Sequence, residues 1–388
     1  MKKYLLTLGT ITILIVASCG LFNFIVDPFV LYDFEETDSE KLNRVDQVAN
    51  MRLYKPRHVS TIKPDALILG SSRSAAIHPR HPAWSAYSPY NFAIPGMTLY
   101  EILRSLEHAQ AVRPLKVLMI GLDYQVFINP YPEFKPGFRE ARLARDSLDL
   151  GSFAYKKQRL IDIQSTLFSF AALAESTEAI VQGKPKIRRY FLDGTWLANT
   201  TKLTGRGGYI YLANTLTKLS EKGNIGTEKS LEIFKDILHF CYRNNIQTKL
   251  FFTPTHVFIV DLWQRLASDE RWRDLHRDVL RLNAAIAKEY GKPPFEIWGF
   301  SNERGIVDEP IYFARDTHKA WYNDGVHYRK KLGRKIMNAL WNPESKFGEK
   351  LTTETVDEYL GDVDLLRKRF LRTNRKLVSD LHGKMNQN

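Results

Sequence analysis

The sequence predicts an α/β fold, a doubly wound parallel sheet with a long insertion, preceded by one N-terminal transmembrane helix. Three observations predict it. Beyond residue 64, short apolar runs alternate with long amphipathic helical patterns. Residues 4–26 carry no charge and follow Lys2 and Lys3. The chain has 388 residues of which 44% are hydrophobic, enough to bury a substantial core and to exclude global disorder.

The N-terminal stretch exceeds the roughly 20 residues that span a bilayer as a helix. Positive residues precede it, and Asp27, Asp33, Glu35, Glu36 and Asp38 follow. That asymmetry places the N-terminus in the cytoplasm and the remainder outside, at the inner membrane of a bacterial envelope. A cleaved signal peptide is the competing reading, and VASC (16–19) resembles a lipoprotein processing site with the lipid on Cys19. The apolar run continues past Cys19 through GLFNFIV, which favours an uncleaved anchor. Cys241 is the only other cysteine and no disulfide between the two is expected. No zinc spacing exists, and His78 and His81 are too isolated to hold a metal, so no metal or bound cofactor is implied.

The formal charge is +13, but no nucleic-acid motif accompanies it, so nucleic acid is not expected as a partner. The basic concentration RKRFLRTNRK (367–376) reads as a solvated helix face, or as a contact for anionic lipid or an acidic polymer.

The elements follow in order. Residues 27–63 form a neck, extended at DPFVLYDF and then polar and helical. Residues 66–69 make a short strand, and 98–112 a helix with Leu99, Ile102, Leu103 and Leu106 on one face. KVLMI (116–120) is a second buried strand. Residues 129–227, rich in aromatic, proline and glycine pieces, form the insertion, with some helix near 156–182. A helix over 228–244, a strand over 248–253, a helix over 271–290, a strand over 295–298 and a last core helix over 330–341 restore the alternation. The domain reading is an anchor at 1–26, a neck at 27–63, an α/β domain at 64–345 and a basic helical C-terminal tail at 346–388. The sheet class expected is the flavodoxin-like one.

In such a sheet ligands bind at the carboxyl ends of the strands. That rule gathers Gly70, Ser71, Ser72 and Arg73 after the first strand, Asp123 after the second, Thr255 and His256 after the third, and WYNDGVHY (321–328) after the last. A serine, a histidine and an aspartate on one rim make the composition an acyl-transfer site requires. Asp324 and His327 are three residues apart before a helix, so one turn brings carboxylate to imidazole. Alone, that spacing is an ordinary turn and helix start. Following the last strand of a sheet whose first strand ends in GSS, it reads as a catalytic pair.

These blocks carry a resemblance. ILGSSRS, NFAIPGMTLYE (91–101), IGLDYQVF (120–127) and DGVH resemble, in order, the conserved blocks of the SGNH (GDSL-like) hydrolase superfamily. The chain is most similar to its membrane-anchored extracytoplasmic members linked to acylation of cell-surface polysaccharides; DPFVLYDF resembles their neck. The likeness covers about 60–130 and 230–341. It implies Ser72 as nucleophile, His327 as general base, Asp324 as its orienter, and backbone N–H groups of Ser72 and Gly96 as oxyanion donors. It implies a serine esterase or acyltransferase acting on a cell-envelope glycan, with a membrane acyl-donating protein as a further partner. By position Arg73 is a substrate-side candidate, and His256, after Pro254 and Thr255 at a strand end, reads either as a substrate contact or as a turn histidine.

One departure is Asp123, which stands where the family has an asparagine that donates to the oxyanion. A carboxylate about 4 Å from the developing charge would repel it by on the order of 4 kcal/mol at a dielectric near 20, roughly a thousandfold in rate. Asp123 is therefore expected to pair with Arg73 or Arg52, to be protonated, or to mark a non-catalytic polysaccharide-binding or scaffold subunit. Trp196, Tyr209 and Tyr211 are candidates for stacking on sugar rings, though aromatics in a cap are more often core. Asn199, Thr200 and Thr201 form a glycosylation sequon, irrelevant in a bacterial host.

Overall fold

The computed structural model describes residues 1–32, 47–128, 135–183, 191–195, 205–220, 227–312, 314–342 and 344–385. Trp196, the 199–201 sequon and the acidic residues at 33–38 lie outside them. The strands are β1 (Ala66–Leu69), β2 (Pro89–Asn91), β3 (Val117–Leu122), β4 (Gln247–Phe252), β5 (Glu296–Gly299) and β6 (Glu349–Leu351). The helices begin with α1 (Lys2–Val26), α2 (Gln47–Ile62), α3 (Leu99–Val112), α4 (Tyr124–Phe127), α5 (Phe153–Leu167), α6 (Phe170–Gln182) and α7 (Gly205–Ser220). They continue with α8 (Thr227–Arg243), α9 (Val257–Ala267), α10 (Asp269–Glu289), α11 (Lys330–Trp341), α12 (Val356–Thr373) and α13 (Arg375–Met385).

The chain divides into two compact units, one of Met1–Lys63, Glu107–Pro114 and Pro136–Gly194, the other of Pro64–Leu106, Leu115–Lys135 and Thr195–Asn388. In the first unit α1 is long and apolar enough to cross a membrane, and its most apolar window is only 6% buried, unlike a core helix. One narrow face of α1 is covered, at Gly20, Asn23 and Val26, and it packs on α5 and α6. Asp27 ends the helix in the left-handed region (φ 46), and its carboxylate accepts from the N–H groups of Leu31 (2.8 Å) and Tyr32 (3.0 Å). The expected neck is helical over α2, which buries Met51, Tyr54 and Val59 within this unit.

The second unit holds one six-stranded sheet, ordered β2-β1-β3-β4-β5-β6. The first five strands run parallel, with Leu67 opposite Leu118, Ile120 opposite Leu250 and Phe251 opposite Trp298. β1 and β3 are buried along their whole length, which is why they read as unbroken apolar runs rather than alternating ones.

Four features differ from the sequence expectation. The sheet is mixed, because β6 runs antiparallel to β5 with Leu351 opposite Ile297. β2 is an edge strand that begins with proline, a position where no ladder donor is needed. Residues 346–388 are not an appended tail: β6 closes the sheet edge, α12 packs on α9 and α13 on α7. Val356, Tyr359, Leu360, Val363 and Phe370 are buried, and the Tyr359 hydroxyl accepts from the Ser301 N–H at 2.9 Å. The basic residues that suggest a tail occupy the other face of an amphipathic core helix. The expected insertion is not one body either, since Pro136–Gly194 clusters with α1 and α2 whereas α7 belongs with the sheet.

The burial pattern of α12 sets a test. Leu360 is fully buried and Leu365 is 66% exposed. Leu360→Ala is expected to lower unfolding free energy by about 2–5 kcal/mol in urea titrations, and Leu365→Ala to stay within about 0.5 kcal/mol. Equal, small effects would mean that α12 is not part of the core.

Candidate active site

β1 ends at Gly70, whose φ of 136° lies where side chains other than hydrogen are strained. The chain turns sharply there, and Ser71, Ser72 and Arg73 lead into a short 3₁₀ turn at Ser74–Ala76. Asn91, at the end of β2, clamps that turn by donating to the carbonyls of Ser74 (3.0 Å) and Ile77 (2.8 Å). Ser72 is left half-buried at the carboxyl edge of the sheet.

The structure brings Ser72, His327 and Asp324 together. Ser72 Oγ lies 2.7 Å from His327 Nε2, and His327 Nδ1 lies 2.6 Å from Asp324 Oδ2. The other carboxylate oxygen of Asp324 accepts from the backbone N–H groups of His327 (2.8 Å) and Val326 (3.2 Å). Burial pushes the Asp324 carboxyl up, but His327 and these hydrogen bonds outweigh it and hold it below the usual carboxylate range. A carboxylate at Asp324 favours the tautomer with its proton on Nδ1, which leaves Nε2 to accept the serine proton. The His327 side chain is 32% exposed, so the relay is open to a ligand.

Asp123 is turned in under the serine turn. Its carboxylate is buried beside the serine turn, where it accepts from the hydroxyls of Ser71 and Thr253. Arg73 Nε stands 3.5 Å from Asp123 Oδ1, with both side chains 1% exposed. Of the two expected partners, Arg73 is the one engaged. Arg73 also donates to Thr253 Oγ1 and Thr255 Oγ1, each at 3.0 Å, and its guanidinium lies 5.1 Å from the centroid of the Trp263 ring. The expectation that Arg73 faces substrate is thus corrected: it is buried as the counter-charge of Asp123.

His256 is corrected in the same way. It is fully buried; Nε2 meets the Glu309 carbonyl at 2.9 Å and Nδ1 accepts from the Phe258 N–H at 3.2 Å as the cap of α9. Both ring nitrogens are used, leaving none for a ligand. Its backbone N–H donates to the Gly325 carbonyl at 2.8 Å, so His256 builds the loop that carries His327. Glu309 completes that loop with its carboxylate, accepting from the N–H groups of Trp321 and Tyr322 at 2.8–2.9 Å. Tyr209 is buried against His256, whereas Tyr211 is 56% exposed.

Gly96 sits in the turn Ile94-Pro95-Gly96-Met97, closed by a 3.0 Å bond from Met97 N–H to the Ile94 carbonyl. Its φ of 65° fits the third position of a type II turn, which asks for glycine. The segment lies beside the serine turn, since the Ile94 N–H donates to the Gly70 carbonyl at 3.2 Å. Among the described residues, the backbone N–H groups of Ser72 and Gly96 donate to no protein acceptor. No family model and no curated protein matches the chain.

Sequence reasoning missed Thr253, Asn91 and Glu309, and placed Thr255 on the rim without a role. The threonines carry a signal, alternating at the carboxyl end of β4 beside a buried arginine; Asn91 and Glu309 act through backbone groups that no motif announces.

Two outcomes follow from these contacts. Asp123→Asn leaves the Arg73 guanidinium buried without its counter-charge, and is expected to cost about 3–5 kcal/mol of stability. It should slow any Ser72 chemistry, as read by denaturation and by serine labelling; faster labelling would put Asp123 back at the oxyanion. Burial also pushes His256 and His276 down to about 4. The unfolded chain binds their protons below about pH 6.5 while the folded one does not. Stability is therefore expected to fall between pH 6.5 and 4 by about 1.4 kcal/mol per pH unit for each histidine. Urea titrations flat over that range would contradict it.

Proposed function

We propose that the protein is a serine esterase or acyltransferase of SGNH type, held at a membrane by α1 and acting on a cell-envelope polysaccharide. The observation that carries this reading is the unbroken relay from Ser72 Oγ through His327 to Asp324, at 2.7 and 2.6 Å. The strand order β2-β1-β3-β4-β5 supports a flavodoxin-like doubly wound sheet, to which β6 adds an antiparallel edge. The relay stands at the carboxyl ends of its strands, where that class binds ligands.

In the proposed reaction Ser72 Oγ attacks an ester carbonyl while His327 Nε2 takes its proton. Asp324 holds the imidazole tautomer and stabilises the imidazolium. The uncommitted N–H groups of Ser72 and Gly96 receive the oxyanion. His327 returns the proton to the leaving alcohol, and an acyl-serine remains. Water or a sugar hydroxyl, deprotonated by His327, then attacks that ester and frees Ser72. The glycan acceptor rests on the family resemblance, and the +13 charge suits an acidic polymer.

Asp123 was the feature that favoured a non-catalytic scaffold. With its carboxylate tied to Ser71, Thr253 and Arg73, that support is removed. A retained anchor, with the sheet unit on the periplasmic side, is supported by Lys2 and Lys3 before the span and by its packed face.

The test is labelling with a fluorophosphonate. The intact protein should be modified at Ser72, and Ser72→Ala and His327→Ala should not be. Asp324→Asn should slow labelling by roughly 10³–10⁴-fold. Folded protein that never labels at Ser72 would sink the enzymatic reading.

A further inference from the structure

The unit around α1 contains a second, chemically distinct place. A cavity of about 120 Å³ is lined by Tyr32, Arg57, Arg142, Arg159, Asp162 and Ile163, among others. Arg142 and Asp162 neutralise one another, through Nε and Nη2 at 2.8–3.1 Å. Among the described residues Arg159 donates only to the Tyr155 hydroxyl, at 3.0 Å, and lies over that ring. The Arg57 guanidinium has no hydrogen-bond or ion-pair partner among the described residues. Two half-buried guanidiniums thus share one cavity, and among the described residues no carboxylate pairs with either. Burial and then the charge of Arg159 push the Arg57 pKa down, as expected where two cations face one cavity.

An apolar groove lies close by. It runs along α1 past Val16, Gly20 and Phe24 and is closed by Leu167 and Phe168. The two places are joined. Ile163 of the cavity and Leu167 of the groove are one turn apart on α5, and the Tyr32 ring packs on Phe24 at 5.3 Å. Phe168 covers Gly20, six residues before the end of α1 and therefore about 9 Å down that helix.

We propose that this is a site for a phosphate-headed lipid, with the phosphate between Arg57 and Arg159 and an acyl chain along α1 beside Leu167 and Phe168. Paired guanidiniums bind phosphate oxygens through parallel N–H donors. The groove selects a lipid over a free ion, because it lies on the helix read as spanning the bilayer. The inference rests on that reading of α1.

The test uses the full-length chain, delipidated in detergent and followed by native mass spectrometry. One phosphatidylglycerol should bind per chain, and diacylglycerol, which lacks the phosphate, should not. Arg57→Gln with Arg159→Gln should weaken binding by about tenfold or more, with an unchanged thermal midpoint. Arg57→Lys with Arg159→Lys, which keeps the charge, should retain part of it. Inorganic phosphate occupying the arginines as tightly as the lipid does would overturn the lipid assignment. Lipid binding indifferent to both arginines would overturn the phosphate pocket. Alkaline carbonate extraction separates the premises: release from membranes sinks the anchor and this site together, and retention without arginine-dependent binding sinks this site alone.

Discussion

A single buried carboxylate ties the strand ends beneath the proposed nucleophile. Asp123 follows β3, accepts from Ser71 after β1 and from Thr253 after β4, and faces Arg73. Burying two charges carries a desolvation penalty of several kcal/mol per ion. Hydrogen bonds from two hydroxyls, two further bonds from Arg73 to threonines and the face of Trp263 offset part of it. The return is positional. β1, β3 and β4 are adjacent in the sheet, so their turns cannot drift apart without separating the pair. A reacting atom misplaced by about 1 Å can lose roughly a hundredfold in rate. The charge that would oppose an oxyanion at the rim is thus neutralised below it.

The histidine is held by a separate polar frame. Tyr322 and Tyr328 bridge the base of the loop, Glu309 fixes the backbone at Trp321 and Tyr322, and His256 anchors Gly325. Within it, Asp324 grips both the imidazole and the backbone of His327. The two frames meet at the bond from Ser72 Oγ to His327 Nε2. This division explains why both buried ionisable groups once assigned to substrate, Arg73 and His256, serve structure instead. Each is saturated by groups of its own frame, whereas His327 keeps one ring nitrogen turned to the serine and a third of its surface open.

Much of this was legible in the sequence for physical reasons. β1, β3, β4 and β5 are covered on both faces or nearly so, and such strands write themselves as apolar runs. Once the alternation located their carboxyl ends, Ser72, Asp324 and His327 followed from the rule about where ligands bind. β2 and β6 are three residues long, too short for periodicity to register. α12 was hidden because its charged face dominates its composition while its buried face, through Val356, Leu360 and Val363, repeats at helical spacing. Asp123 was located at the right strand end, and its pairing with Arg73 was one of the outcomes its sequence position left open. Sequence gives the strand end a residue occupies, but whether a side chain turns up to the rim or down under a turn depends on partners, here Ser71 and Thr253, that lie far away in the chain.

The same reasoning applies to the polar atoms of α1. Asn23 is the awkward residue in an apolar helix, since an unpaired amide in hydrocarbon costs several kcal/mol. Both ends of its amide are engaged within its own unit: Nδ2 donates to the Leu167 carbonyl at 2.8 Å, and Oδ1 accepts from Ser176 Oγ at 2.7 Å. Gly20, three residues earlier on the same face, lets Phe168 close on the helix. A signal peptide has no need of such a face, because its body is cut away from the domain it leads. In the proposed reading α1 is therefore both a span and a packed structural element. Its covered face is what brings the α5–α6 turn against the helix, and so sets an apolar groove one helical turn from the cavity that Arg57 and Arg159 share.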